Sequence, residues 1–364
     1  VFFYKIVYFY KAEIQFAKKE TLMIQPKPNI LLILSIVFLF LFVSCKKEDL
    51  PISNENSLDY SISGASIINK GKSIQLIGAN AFHVFSVGSK DMNSWNLDMV
   101  REFNGNCKET PLTGGPIQSS NSSYLYSLQS MVDDNRMNHK VTILCAFGWD
   151  GSNTTEFTGK NPSKTFWWND FKLKLAQWAV QFKNQPDVWI EVWNEPYRYD
   201  RADGYTDTQW MTDMNELTSI IRNVGNSNII LIPCAEQGQD ESVLLNKASE
   251  FLANKTNILF DIHAYEKWLL DNPASIDSRL NQLQNKKIPF IIGETAPMNA
   301  GLLMNPKPFL DILSTRKISV CAWVWKKDGS DQDALLTASG LPNDNNNNNW
   351  GTTFKNLSLS PRNP

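Results

Sequence analysis

Val188-Trp189-Ile190-Glu191-Val192-Trp193 runs directly into Asn194-Glu195-Pro196. Five of the first six residues are apolar and they do not alternate strictly with polar ones, which is the pattern of a strand buried on both faces of a parallel sheet. Amphipathic stretches flank it, Phe166–Phe182 before and Thr208–Val224 after, the second opening on Asp207 or Thr208 as a cap. The local unit is helix, buried strand, helix.

Working outward, the unit recurs. Further apolar runs lie at Ser73–Asn80, Gly105–Glu109, Val141–Phe147, Ile229–Pro233, Ile258–His263, Phe290–Gly293 and Ile318–Trp325. Helix-like segments lie between them at Ser94–Phe103, Tyr124–Met137, Ser242–Leu252, Ser275–Gln284 and Pro308–Thr315. Strand alternating with helix eight times, with no break in composition, predicts an α/β fold built as a single (β/α)8 TIM barrel. A doubly wound open sheet is the alternative, but no GxGxxG opens any helix. A hairpin over Tyr60–Ile77, turning at Asn69-Lys70-Gly71, is expected to close the barrel bottom, and the Asn-rich stretch Asp344–Asn349 reads as an exposed loop.

The chain has 364 residues, enough for two ordinary domains or one barrel. A hydrophobic fraction of 42% with 20% charged residues excludes a disordered chain. The net charge of −2 offers no basic excess for nucleic acid, so that partner class is excluded. Twelve tryptophans exceed what a core obviously needs, and a place for them around a cleft is expected.

The amino-terminal region reads as export rather than fold. Ile30–Val43 is apolar except for Ser35, too short for a confident bilayer span and within the range of a signal-peptide core. Lys27 precedes it and Leu41-Phe42-Val43-Ser44-Cys45 closes it, a stretch that resembles a bacterial lipoprotein signal. The resemblance implies lipidation of Cys45. An uncleaved membrane anchor is the alternative. Met23 precedes a well-proportioned signal, so residues 1–22 are expected to be an over-extended start. The expected organisation is residues 1–44 as export signal, 45–58 as lipidated cysteine and tether, and 59–364 as the catalytic barrel. Without residues 1–44 the net charge is about −5. Lys46-Lys47-Glu48-Asp49 resembles the tag of lipoproteins sent to the outer face of the outer membrane, so the expected location is the periplasm or cell surface. The membrane is met only through the lipid, and the protein is expected to be a monomer. Cys107, Cys145, Cys234 and Cys321 lie in or beside apolar runs without paired spacing, and read as buried free thiols, with a Cys107–Cys145 bridge as the alternative.

In a barrel, catalytic groups belong at the carboxyl ends of strands. The fourth strand delivers Glu195 there and the seventh, Pro289-Phe290-Ile291-Ile292-Gly293, delivers Glu294. These strands lie nearly opposite in an eight-membered ring, so the two glutamates face across the mouth. Glycosidic cleavage needs such a pair, one carboxyl protonated to serve the leaving oxygen and one ionised to attack or to activate water. The sixth strand brings His263 and Tyr265 to one face, and the eighth brings Trp323 and Trp325.

With these residues in view, residues 60–340 resemble glycoside hydrolase family 5, the cellulase and mannanase family. Trp193-Asn194-Glu195-Pro196, His263-Ala264-Tyr265, Ile292-Gly293-Glu294 and Trp323 carry the resemblance. It implies Glu195 as acid/base, Glu294 as nucleophile, Asn194 on the sugar 2-hydroxyl, Tyr265 orienting the nucleophile, His263 beside the acid/base and Trp323 as the platform under the sugar. Asn80 matches the end of the family's first strand. The family's arginine at the end of strand two is expected at Lys108, a departure that loses the planar fork, and the histidine that often ends the third strand is missing from Cys145-Ala146-Phe147-Gly148-Trp149. Trp149 and Tyr197, with Trp167, Trp168 and Trp210, are expected around the cleft. The implied substrate is a β-linked polysaccharide, β-1,4-glucan first and mannan second. A carboxyl separation of about 5–5.5 Å marks a retaining enzyme, and about 9 Å an inverting one.

No cofactor or metal is expected: the three histidines are scattered, there is no HExxH or CxxC, and no GxSxG for a serine hydrolase. A non-catalytic surface glycan-binding protein is the alternative from another class, and retention of both glutamates weighs against it.

Overall fold

The computed structural model describes residues 60–326 and 332–362. Residues 1–44, Cys45 and the tether to residue 58 lie outside the described residues.

Short runs rich in Val, Ile and Leu pair in parallel: β1 (Ile77–Ala81), β2 (Met99–Asn104), β3 (Val141–Ala146), β4 (Val188–Glu191), β5 (Ile230–Pro233), β6 (Ile258–Ala264), β7 (Phe290–Thr295) and β8 (Val320–Ala322). Each strand pairs with the next in sequence, and β8 pairs back to β1, closing an eight-stranded barrel. Every residue of these strands is buried, as full cover by helices demands. The long helices that cover them are α1 (Leu128–Met137), α2 (Trp168–Phe182), α3 (Asp207–Asn223), α4 (Ser242–Leu252), α6 (Pro273–Asn285), α7 (Lys307–Arg316) and α8 (Trp350–Leu359), with a one-turn α5 (Glu266–Leu269) after β6. The α3 cap is Thr206, whose hydroxyl accepts from the Gln209 amide, one residue earlier than the sequence reading placed it.

The second strand departs from expectation. Gly105–Glu109 is turn, the strand is Met99–Asn104, and the Ser94–Phe103 helix is absent, its start replaced by a 3-10 turn over Lys90–Trp95. Adjacent Arg101 and Glu102 gave this stretch the polarity of an amphipathic helix. In the barrel they point to opposite faces and each finds a buried partner, Glu294 for Arg101 and Asn135 for Glu102. Helix α8 was also missed, because it follows the polar Asp344–Asn349 tract.

The barrel bottom is closed by an antiparallel meander of three strands, Tyr60–Ser63, Ser66–Asn69 and Lys72–Ile74, rather than one hairpin. The extra turn is at Gly64, where φ is +57°, a backbone shape that glycine adopts without strain. Ile67 of the meander joins Leu76, Met99, Val141, Trp189 and Leu259 in one buried cluster inside the barrel, and the Tyr60 ring meets Trp189 edge-on at 5.5 Å. The four described cysteines are buried and free, so no Cys107–Cys145 bridge forms. Among the described residues no helix is long and apolar enough to cross a membrane.

Trp189 is fully buried at the end of the barrel opposite the carboxyl-terminal mouth. Trp189→Ala is expected to cost about 3–5 kcal/mol, read as a lower urea midpoint, with the KM of the folded protein unchanged. A loss under about 1 kcal/mol would contradict the plugging role.

Candidate active site

Met99, Arg101 and Phe103 form the inward row of β2, which places a guanidinium in the middle of the barrel. Arg101 is fully buried, and all three of its nitrogens are committed. Nε donates to Glu191 Oε2 at 2.5 Å and Nη2 to Glu191 Oε1 at 2.7 Å, a fork-to-fork pair. Nη1 donates to Glu294 Oε1 at 2.6 Å and to Asn80 Oδ1 at 3.0 Å, and Nη2 also reaches Asn194 Oδ1 at 3.1 Å. One side chain from β2 therefore fixes groups from β1, β4 and β7.

Glu294 reaches this position through an irregularity. Ile262 pairs with Ile292, but His263 pairs with Glu294, so Gly293 is an extra residue on β7. A bulge of this kind re-aims the side chain that follows it. Only glycine fits there: a Cβ on Gly293 would lie 2.1 Å from the Asp261 carboxylate. Glu294 then receives Arg101 on one oxygen and the Tyr265 hydroxyl on the other, at 2.8 Å. Burial pushes its pKa above the ordinary carboxylate value, while His263 and Arg101 pull it back toward the ionised form.

Glu195 follows β4 with a positive φ of 48° and stays partly open to solvent, its side chain 15% exposed. Its Oε1 lies 2.8 Å from His263 Nδ1, and the same ring nitrogen is 3.5 Å from Glu294 Oε2. Carboxylate oxygens of Glu195 and Glu294 and a ring nitrogen of His263 lie within 4.8 Å of one another. Burial disfavours charge on His263, but Glu294, Asp261 and Glu195 prevail and hold its pKa well above the ordinary imidazole value. Asn194 passes its amide hydrogen to Thr158 Oγ1 at 2.8 Å, so its orientation is fixed at both ends.

Two clusters, Glu191–Asp261–His263 and Glu195–His263–Glu294, have ligand atoms close enough together for a cation. Both oxygens of Glu191 already accept from Arg101, and those of Glu294 from Arg101 and Tyr265, so the donor set is built around a guanidinium in the place where a metal would compete.

Several expected site residues lie elsewhere. Lys108 is exposed in the turn after β2, and the arginine expected at its position is Arg101, so the planar fork is present. Asn80 is fully buried with its amide spent on Gly293 O, Ala322 O and Arg101, which makes it a support for the guanidinium and leaves it nothing for a ligand. Tyr197 is fully buried, stacked on Tyr205 and donating to Asp213 Oδ2 at 2.8 Å. Trp149, only 7% exposed, belongs to the packed core, as do Trp167 and Trp168. Trp193 leaves the inward row because β4 ends at Glu191. It packs against Phe157 and Phe171 and donates to Phe157 O. Trp210 sits in the helix layer on Phe251 and Phe260. Trp325 does not share the Trp323 face but packs edge-on against Trp95 at 5.2 Å. Trp323 is the half-exposed exception, propped by Phe82 and Phe103.

Arg101, Glu191, Asp261 and Thr158 were missed. An arginine at period two between Met99 and Phe103 is the signal that could have found the first.

Residues 87–329, about two thirds of the chain, match the family model described as Cellulase (glycosyl hydrolase family 5). A mannan endo-1,4-beta-mannosidase of Cellvibrio japonicus is 22% identical over 179 residues, which are 48% of this chain and 40% of that protein. The chain thus matches well under half the length of this curated relative. A β-mannanase from Streptomyces thermolilacinus superposes with a TM-score of 0.63 at 16% identity, over 84% of this chain and 98% of that one. A cellulase superposes with a TM-score of 0.59 at 15% identity, over 84% of this chain and 93% of that one. With its closed barrel and its match across most of that barrel, the chain belongs to glycosyl hydrolase family 5.

Proposed function

We propose that the protein is a retaining β-1,4-glycanase in which Glu294 is the nucleophile and Glu195 the acid/base. The observation that carries this reading is the pair of carboxylates with oxygens within 4.8 Å, one of them gripped by a guanidinium and a phenol. That spacing is too short for a sugar's anomeric carbon and an attacking water to stand together between the carboxyls, and fits attack by a carboxylate itself.

In the first step a Glu294 oxygen bonds to the anomeric carbon as the glycosidic C–O bond breaks, and Glu195 gives its proton to the departing oxygen. In the second, Glu195 takes a proton from water as that water attacks the anomeric carbon and Glu294 leaves as carboxylate. Arg101 and Tyr265 keep a donor on each Glu294 oxygen, which favours the carboxylate both as attacking group and as leaving group. Asn194, locked by Arg101 and Thr158, is placed beside the pair to meet a sugar hydroxyl, and the half-exposed Trp323 offers a ring face.

β-1,4-Mannan is the favoured substrate, because the curated relative and the Streptomyces structure are named for mannan. β-1,4-Glucan, the first expectation from the sequence, is the second reading, supported by the cellulase neighbour and the family's description. Reducing ends released from mannan, β-glucan and xylan decide between them: mannan is expected to give the highest kcat/KM, and a β-glucan preference reverses the ranking. Glu294→Ala is expected to abolish turnover of all three while leaving binding intact. Surviving turnover would remove Glu294 from its role, and binding without turnover in the native protein would favour the glycan-binding alternative.

Export and lipidation at Cys45 form a separate proposal resting on residues 30–45. Palmitate labelling of the whole chain in a bacterial host is expected and should vanish in Cys45→Ala. An unlabelled native chain contradicts it.

A further inference from the structure

Beneath the two glutamates lies a buried carboxylate that the mechanism above does not use. Asp261 and His263 are two residues apart on β6, so their side chains enter the barrel on the same face, and both are fully buried. Asp261 Oδ2 is 3.5 Å from His263 Nε2 and 3.4 Å from Arg101 Nε. Among the described residues neither Asp261 oxygen nor His263 Nε2 has any hydrogen bond, so the ion-pair contacts are what each offers the other. A buried polar group with so little else to bind is held for what it faces.

Two glycines make the arrangement possible. Gly293 leaves the space that the Asp261 carboxylate occupies. Gly238, at φ +81°, lies against the imidazole, where a Cβ would be 2.7 Å from the His263 ring carbon, and its carbonyl accepts the His263 amide. The ring is therefore clamped with Nδ1 toward Glu195 and Nε2 toward Asp261.

The geometry points to Asp261 as a positioning residue that keeps the proton on His263 Nε2 and so governs how firmly the proton shared by His263 Nδ1 and Glu195 is held. This rests on the reading of Glu195 as acid/base. With Nε2 protonated, Nδ1 and the Glu195 carboxyl share one proton across 2.8 Å, either as carboxylic acid donating to bare Nδ1 or as imidazolium donating to carboxylate. When that proton passes to the leaving oxygen, the ring remains the neutral tautomer able to take part in its return. The Asp261 charge tightens the hold of the pair on its proton.

The other groups around His263 set the background. Arg101 of β2 is the fixed cation. Glu191 on β4, Glu195 after it and Glu294 on β7 are the other carboxyls, and burial pushes Glu191 up to about 7 against the pull of Arg101. Tyr265 beyond β6, Cys145 on β3, Cys234 after β5 and Cys321 on β8 are all pushed up by burial and stay neutral. Glu191 lies farther off, its nearest oxygen outside ion-pair reach of the ring, so among the described residues Asp261 is the one carboxylate in ion-pair contact with Nε2.

Asp261→Asn keeps the shape and removes the charge. On a phenyl β-glycoside of the disaccharide released from the active polysaccharide, the basic limb of the kcat/KM profile is expected to move down by about one pH unit or more. On the 2,4-dinitrophenyl glycoside, whose leaving group needs no proton, that limb should barely move. Because the chain has only three histidines, nitrogen-15 NMR can follow His263 directly. Its Nε2 should be protonated throughout the active range in the native protein, and its titration should shift down in Asp261→Asn. A folded Asp261→Asn with both limb and titration unchanged overturns the proposal, and so does a bare Nε2 in the native protein, a readout that survives if the variant fails to fold. Glu195→Ala separates the two readings. If it loses the phenyl substrate far more than the dinitrophenyl one, the acid/base assignment holds and an unaltered Asp261→Asn counts against Asp261 alone. Equal loss on both substrates counts against Glu195 first.

Discussion

One guanidinium organises the centre of this barrel. Arg101 bonds to Glu191, Glu294, Asn80 and Asn194, joining β1, β2, β4 and β7 through a single planar group. A charge buried this deeply is tolerated only when its partners are complete, and removing any one leaves the others uncompensated in a medium that screens poorly. Glu191 neutralises the cation from below while Glu294 takes the remaining donor at the mouth. The nucleophile's ionisation and the barrel's electrostatic balance are therefore one constraint. A lysine could not meet it, because an ammonium has no fork to hold two carboxylates and two amides at fixed angles.

Tryptophan placement follows from packing. Of twelve tryptophans, all within the described residues, eleven are buried and Trp323 alone is half-exposed. Trp189 fills the barrel bottom, while Trp193 and Trp210 wedge between strands and helices. The surplus that drew attention in the composition is chiefly the filling between two concentric layers, where large flat rings bury much area per residue. In residues 197–205, which follow β4, Arg201 is likewise engaged within the protein, pairing with Glu236 and Asp240.

The eightfold alternation was legible because seven of the eight expected runs overlap observed strands, and Ser242–Leu252 matches its helix end to end. The reading failed where polar groups enter the barrel. Met99–Asn104 carries Arg101 and Glu102 side by side, and a local pattern cannot reveal that both charges are paired by residues far along the chain. That failure displaced the arginine to Lys108 and made the site look depleted. Side-chain direction past a strand end was equally hidden. Continued alternation past Glu191 would turn Trp193 inward, but β4 stops at Glu191, whereas the bulge at Gly293 turns Glu294 inward. Glu195, His263 and Tyr265 were recognisable from residue type and strand-end position. Asp261 was not, since an acidic residue inside a strand has no local signature of its partner.

Catalysis by this site turns on Glu294, held by Arg101 and Tyr265, forming a covalent bond to the sugar. Incubation with a 2-deoxy-2-fluoro glycoside carrying a good leaving group, followed by mass spectrometry of the digested protein, tests this directly. A single fluoroglycosyl adduct on the peptide that contains Glu294, absent from Glu294→Ala, is the predicted result. An adduct on another residue, or none while the protein turns over ordinary substrate, would contradict it.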